Sequence, residues 1–414
     1  MRPALWSVAI QAAGSAATLG AALLVSSQMG LAAQGEFGLL RSWTEALGTL
    51  AVIGLPQGLL HMQYREGVGV AALRAWVLRY LGVLFAVLAV VLLAWFLFPS
   101  AWTPALLQSP QTRLIMALTV ALGASHLLWR SLALRDVGLL PYAALTASPS
   151  LVVFAALAVV CAIGQRSGLV WALLAGALLS SLASAWTVAR VARVARESRE
   201  EAVDSQAAWS RSSLWTVSSQ TGVQNILSAL GPPLVLSTAA ALGASLAQVG
   251  VVSLGLHVYL VFGVAATYMA PMVYDKAARA EQPMSEQHLL AWLRERLTLR
   301  AVLAFGIAVA VAMWLLRSLW PTGADSLVLV GAMATAGALA MPVRLMVTLM
   351  QARGAYRALS WHALGRLLLS VGGTAALMTV WPAVLAVPVA LLVAELILLV
   401  WVWKLMQAKV QAQA

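Results

Sequence analysis

The chain has 414 residues, of which 62% are hydrophobic and 10% charged. Soluble domains carry about a quarter charged residues, so a large water-soluble core is excluded and a polytopic membrane protein is expected. The formal net charge of +12 would suit nucleic acid, but the placement of the basic residues points to membrane topology and not to a nucleic-acid partner.

Open sheet edges cannot be satisfied in lipid, and the alternating pattern of an outer-membrane barrel is missing, so the expected class is all-α. Apolar runs near the roughly 20 residues that span a bilayer predict about twelve helices. They lie at 5–29, 38–61, 76–99, 112–134, 142–164, 168–190, 213–238, 249–272, 298–320, 325–350, 360–381 and 383–405. Met1-Arg2 and the run behind it imitate a signal peptide, but the run reaches residue 29 and reads as the first span. This helix carries Gln11, Ser15 and Thr18 on one face.

A turn at Gly35-Glu36-Phe37-Gly38 precedes the second helix, where Arg41 and Glu45 stand at i,i+4 and can pair. Either Arg41 snorkels at the helix end and Glu45 neutralises it, or both line a cleft. In the cleft, Arg41 would serve anions and Glu45 would be a titratable switch. Arg130 in the fourth helix and Arg344 in the tenth lie near the inner face. They are either snorkelling residues or a two-armed clamp for a diphosphate, which the bidentate guanidinium fork suits.

The stretch RVARVARESREEAVDSQAAW has basic residues every third position and reads as a surface helix at 191–212 on anionic headgroups. It divides the chain into six-helix bundles at 1–190 and 213–414. The seventh helix carries Gln220, Gln224 and Ser228, and Pro232-Pro233 must break or bend it, as a hinge would. Glu395 lies within the apolar run PVALLVAELILLVW of the last helix. An intramembrane carboxylate must face protein, so Glu395 is either an ion-pair partner of Arg366 or a proton-coupling site.

Leu19-Gly20-x-x-Leu23-x-x-Ser26 recurs as Leu230-Gly231-x-x-Leu234-x-x-Ser237, and Tyr64 and Arg130 align with Tyr274 and Arg344 at similar offsets. A parallel internal repeat is the expectation. All but Arg41, Arg113, Arg166 and Arg317 of the 26 basic residues collect on one side. By the positive-inside rule both termini are cytoplasmic.

Several chemistries lack their residues. The lysines Lys276, Lys404 and Lys409 sit in no Walker A context, the four aspartates are dispersed, and the five histidines have no zinc spacing. The single Cys161 supports no multi-cysteine metal site. The expectation is therefore a protein that is not an enzyme, with no catalytic residues, metal or cofactor.

The segment Gly35-x-Phe37-Gly38-Leu39-Leu40, followed by Gly54-Leu55-Pro56-Gln57-Gly58-Leu59-Leu60 and Tyr64-Arg65, resembles the oligosaccharide flippases of the multidrug/oligosaccharidyl-lipid/polysaccharide (MOP) exporter superfamily. Gly250 and Tyr274 look like the second-half counterpart. The resemblance implies two lobes rocking around a central, often cationic, cavity. It implies movement of a polyprenyl-diphosphate-linked oligosaccharide across a bacterial inner membrane for surface polysaccharide synthesis. Membrane lipids surround such a protein, and a polysaccharide polymerase or glycosyltransferases are its expected partners. The residues expected to meet substrate are Arg41, Arg130, Arg344, Gln11, Gln57 and Gln224. Unlike drug exporters of the superfamily, the first and seventh helices carry no Asp or Glu. Unlike the peptidoglycan-precursor flippases, the first helix carries no arginine beyond Arg2. The alternatives are a cation-coupled exporter of small lipophilic compounds and a non-transporting scaffold of a polysaccharide synthesis complex.

Overall fold

The computed structural model describes residues 2–64, 66–97, 109–197, 211–260, 324–352 and 356–411. Among these residues there are twelve helices and no strand. They are α1 (Arg2–Met29), α2 (Leu31–Val52), α3 (Leu55–Tyr64), α4 (Val70–Leu97), α5 (Pro110–Val137) and α6 (Leu139–Ile163), then α7 (Gly168–Glu197) and α8 (Arg211–Ala241). The others are α9 (Leu246–Leu260), α10 (Ala324–Ala352), α11 (Tyr356–Leu377) and α12 (Ala383–Gln411). Seven of them contain a stretch long and apolar enough to cross a membrane. On α4, Val83, Val90 and Leu93 are 63%, 66% and 58% exposed. Such a surface is solvated by lipid, not water. The predicted helix at 298–320, Tyr274 and linker residues 198–210 lie outside the described residues, while 191–197 continue α7 beyond its predicted end at 190.

Contacts divide the chain into two compact units. The first is Met1–Leu24 with Glu36–Pro233, and the second is Val25–Gly35 with Leu234–Ala414.

The second predicted helix departs from expectation at both ends. Gly35 to Gly38 form no turn but lie inside α2. Gly35 is small because α9 passes against it: a Cβ there would fall 2.1 Å from the Leu246 carbonyl oxygen. Close backbone approach through small residues is the usual means of holding helices together in lipid. At the other end the helix is not continuous to 61 but breaks at Ile53 and Gly54, whose φ angles are +41° and +73°. Pro56 explains the position, because its ring would clash with the Val52 carbonyl were the helix continued.

The break frees the Ala51 carbonyl, which a side chain of α4 takes up, while the Gly54 carbonyl accepts from the Gln57 and Gly58 N–H groups of α3. Tyr80 of α4 donates its hydroxyl to the Ala51 carbonyl at 2.5 Å. Thr221 of α8 lies 3.3 Å from the Gly54 carbonyl. Gly54 and Gly58 both lie directly against Ser218 of α8. Below the break, Leu55, Leu59 and Met62 join Leu73 and Val77 of α4, Leu128 and Leu132 of α5 and Leu214 of α8 in one buried cluster. This cluster anchors the C-terminal end of α2 and the second half of α5, beside the site described next.

Candidate functional site: a cationic cavity in the first unit

Helices α2, α5, α6 and α7 border a half-open cavity of about 280 Å³, and Arg41, Glu45, His126, Arg130, Ser150 and Ser180 line it. Small residues bring these helices together. Gly14 of α1 packs on Ala147, where a Cβ would fall 2.8 Å from the Ala147 Cβ, and Gly176 of α7 packs on Val153 and the Pro149 carbonyl. Pro149 interrupts α6 and frees the Leu145 carbonyl four residues back. The neighbouring Ser148 hydroxyl donates to that carbonyl at 2.9 Å, so α6 stays helical while presenting Thr146 and Ser150 to the cavity.

Arg41 donates from Nε to Glu45 Oε1 at 2.8 Å, and their side chains are 12% and 63% exposed. Its Nη2 reaches Thr18 Oγ1 at 3.4 Å, and that hydroxyl lies 2.8 Å from Ser150 Oγ. Nη1 is buried and has no hydrogen-bond partner among the described residues. The Arg130 guanidinium lies 5.8 Å from the Tyr142 ring centroid, a cation–π arrangement, and meets no carboxylate among the described residues. Glu45 therefore balances Arg41, and Arg130 leaves the lining one positive charge in excess. His126 lies with Nδ1 2.9 Å from Ser184 Oγ and 3.2 Å from the Ser180 carbonyl. Its Nε2 and Ser180 Oγ are buried without partners among the described residues. A small cavity lined by two guanidinium groups and several hydroxyls has the donor set of an oxyanion site, with the open ring nitrogen of His126 beside it.

The remaining candidates divide between the units. Gln11 is buried on α1 and donates to Ser7 Oγ at 3.3 Å. Gln57 accepts from Asn225 Nδ2 at 2.9 Å. Gln224 is buried on α8, which is continuous through Pro232 and Pro233. In the second unit, Glu395 is fully buried and ion-paired with Arg366. Tyr259 of α9 donates its hydroxyl to Glu395 Oε1 at 2.6 Å. Both Arg344 and Arg366 face the Tyr259 ring, at 5.6 and 5.8 Å from its centroid. Arg344 thus gathers with Arg366 and Glu395, whereas Arg130 belongs to the other unit.

A larger recess of about 1310 Å³ lies beside Gly67, Arg135 and Arg190. Among its lining residues, Arg135 donates to the Gln63 carbonyl and lies 4.0 Å from Asp136, and Arg190 lies over the Trp186 ring.

Sequence reasoning did not single out His126, Ser180, Tyr142 or Tyr259. His126 had a usable signal, since it stands four residues before Arg130 and thus on the same helix face. The other three are brought to their arginines or to the cavity by packing between helices, which leaves no local mark.

No family model and no curated protein matches the chain. Solved structures do. One is the inward-facing conformation of a multidrug resistance MATE family transporter of the MOP superfamily, 13% identical, covering 99% of this chain and 100% of that one with a TM-score of 0.65. A second is the Vibrio cholerae MATE transporter VcmN in the bent form, 15% identical, covering 100% and 99% with a TM-score of 0.59. A third is a MOP superfamily transporter from Pyrococcus furiosus, described as having a binding pocket of reverse polarity that suggests a different function. It is 12% identical, covering 98% and 96% with a TM-score of 0.53. The chain is a multi-pass membrane protein, helical and without strands among the described residues, with the fold of MATE transporters.

Proposed function

We propose that the chain is a flippase that moves a polyprenyl-diphosphate-linked oligosaccharide from the cytoplasmic to the outer leaflet of a bacterial inner membrane. It works by alternating access, serves surface polysaccharide synthesis, and uses no cofactor or catalytic residue. The observation that carries this reading is Arg41 Nη1, buried and unpartnered at a cavity shared with Arg130. Burying a guanidinium nitrogen without a partner is costly, and a diphosphate oxygen would satisfy it. A diphosphate headgroup cannot cross hydrocarbon unaided, so its carrier needs a donor-lined space of this kind.

In this reading Arg344 is a second anion contact. Gln11, Gln57 and Gln224 supply neutral polar contacts along the path. Glu395 is the internal counter-charge that makes Arg366 tolerable in an apolar helix, and Glu45 holds Arg41 in place. Pro232 and Pro233, where α8 passes from the first unit to the second, act as the hinge. Both termini face the cytoplasm.

The experiment is gene deletion followed by mass spectrometry of polyprenyl-diphosphate glycans. A lipid-linked repeat unit should accumulate and be cleared by wild type but not by Arg41→Ala. An unchanged lipid profile in a strain without a second flippase would sink the reading.

A second reading, export of small lipophilic compounds, is favoured by the multidrug transporters among the structural neighbours. Dye efflux that depends on Glu45 or Glu395 would decide for it.

A further inference from the structure

His126 has one ring nitrogen assigned and one left open. Its Nδ1 faces the Ser180 carbonyl at 3.2 Å and Ser184 Oγ at 2.9 Å. The Ser180 carbonyl can only accept, so its contact is a hydrogen bond when the neutral ring carries its proton on Nδ1, and Nε2 is then a lone pair. That lone pair is buried without a partner among the described residues, on a side chain that lines the cavity. The other groups there differ in kind. From α2 come Arg41 and its partner Glu45, and from α5 comes Arg130, stacked on Tyr142 of α6. From α7 the Ser180 hydroxyl reaches the cavity, while the Ser184 hydroxyl lies at the other ring nitrogen.

An oxyanion that takes the free Arg41 nitrogen and Arg130 brings its own lone pairs toward Nε2. Acceptor then faces acceptor, and the contact becomes a hydrogen bond only when Nε2 carries a proton. The imidazolium so formed adds a third cation to the lining, and the bound anion offsets it. Occupation and protonation therefore support one another.

We infer that His126 is a proton-linked donor of the anion site, so that an oxyanion entering the first-unit cavity takes up one proton at His126 Nε2. The inference rests on the reading of this cavity as a diphosphate site. It adds a regulatory consequence: cargo loading is sensitive to pH and carries a proton into the cavity with the cargo.

The test is calorimetry on the full-length protein in detergent, at neutral pH, in buffers of different ionisation enthalpy. The probe is diethyl diphosphate, the symmetric diester, whose two charges do not titrate near neutrality. The wild type should bind with uptake of about one proton, and its affinity should weaken as pH rises, by at most about tenfold per unit. His126→Gln should still bind, with no proton uptake and a flat pH profile. Ser184→Ala, which leaves Nε2 untouched, should keep the uptake. Binding by wild type without proton uptake would overturn the inference and leave the anion site standing, as would undiminished uptake by His126→Gln. Absence of wild-type binding across the pH range would overturn the anion site and this inference with it. Should His126→Gln not fold, the wild-type buffer series and pH profile decide alone.

Discussion

Gly35 of α2 and Gly250 of α9 meet backbone to backbone. A Cβ on Gly35 would fall 2.1 Å from the Leu246 carbonyl oxygen, and one on Gly250 would fall 2.0 Å from that of Leu31. Neither atom can be accommodated by rotating a side chain, because the opposing atoms are backbone. Gly250→Val should therefore force the helices apart at a cost of about 1–3 kcal/mol, the usual range for overpacking. The measurement is thermal unfolding followed by size-exclusion chromatography, where the variant should melt earlier. An unchanged melting temperature would contradict the close crossing.

The break between α2 and α3 predicts a second effect. Tyr80→Phe removes the donor to the Ala51 carbonyl and leaves a freed backbone acceptor unsatisfied, a loss of about 1–3 kcal/mol. The variant should show lowered thermal stability, with transport per folded molecule close to wild type. Loss of transport at full stability would mean that Tyr80 does more than close the break.

Arg41→Lys separates charge from geometry. The lysine keeps the positive charge but lacks the planar fork. Losing a charge-assisted hydrogen bond of roughly 1.5–3 kcal/mol should slow lipid translocation about tenfold or more. Protein abundance should stay within about twofold of wild type, since Arg41 contributes one charge pair with a largely exposed Glu45. Equal losses of abundance and transport would mark Arg41 as structural.

The second unit responds differently. Glu395→Leu leaves the Arg366 guanidinium in an apolar helix without its carboxylate, and breaking a buried pair costs about 3–5 kcal/mol. Folded protein should fall sharply on fluorescence-detected chromatography, and Glu395→Leu/Arg366→Met should recover much of it. A Glu395→Leu variant that is stable but inactive would instead favour a coupling role.

Much of this architecture was legible in the sequence because hydropathy alone delimits helices near 20 residues long. Arg41 and Glu45 could be paired from their i,i+4 spacing. The α2 break was also spelled out, in Gly54-Leu55-Pro56, although the apolar run around it reads as one helix. Gly35 and Gly38 misled in the opposite direction. Glycine serves turns and close helix crossings alike, and only α9, more than 200 residues downstream, decides between them. Tyr259 illustrates the other limit. Its contacts with Arg344, Arg366 and Glu395 bring four helices together, and no local pattern encodes them. His126 lay between these cases, visible by its spacing from Arg130 yet given meaning only by Ser180 and Ser184 on α7.

The proposed function has a lipid-linked diphosphate meeting Arg41 and Arg130 in the cavity of the first unit on its way across the membrane. Its most direct test is reconstitution into liposomes containing a fluorescent polyprenyl-diphosphate oligosaccharide, with the rate of its appearance in the opposite leaflet as readout. Wild type should accelerate that movement over protein-free liposomes, and Arg41→Ala/Arg130→Ala, incorporated to the same level, should not. Equal rates for wild type and the double variant would contradict the account, as would a wild-type rate no faster than the bare membrane.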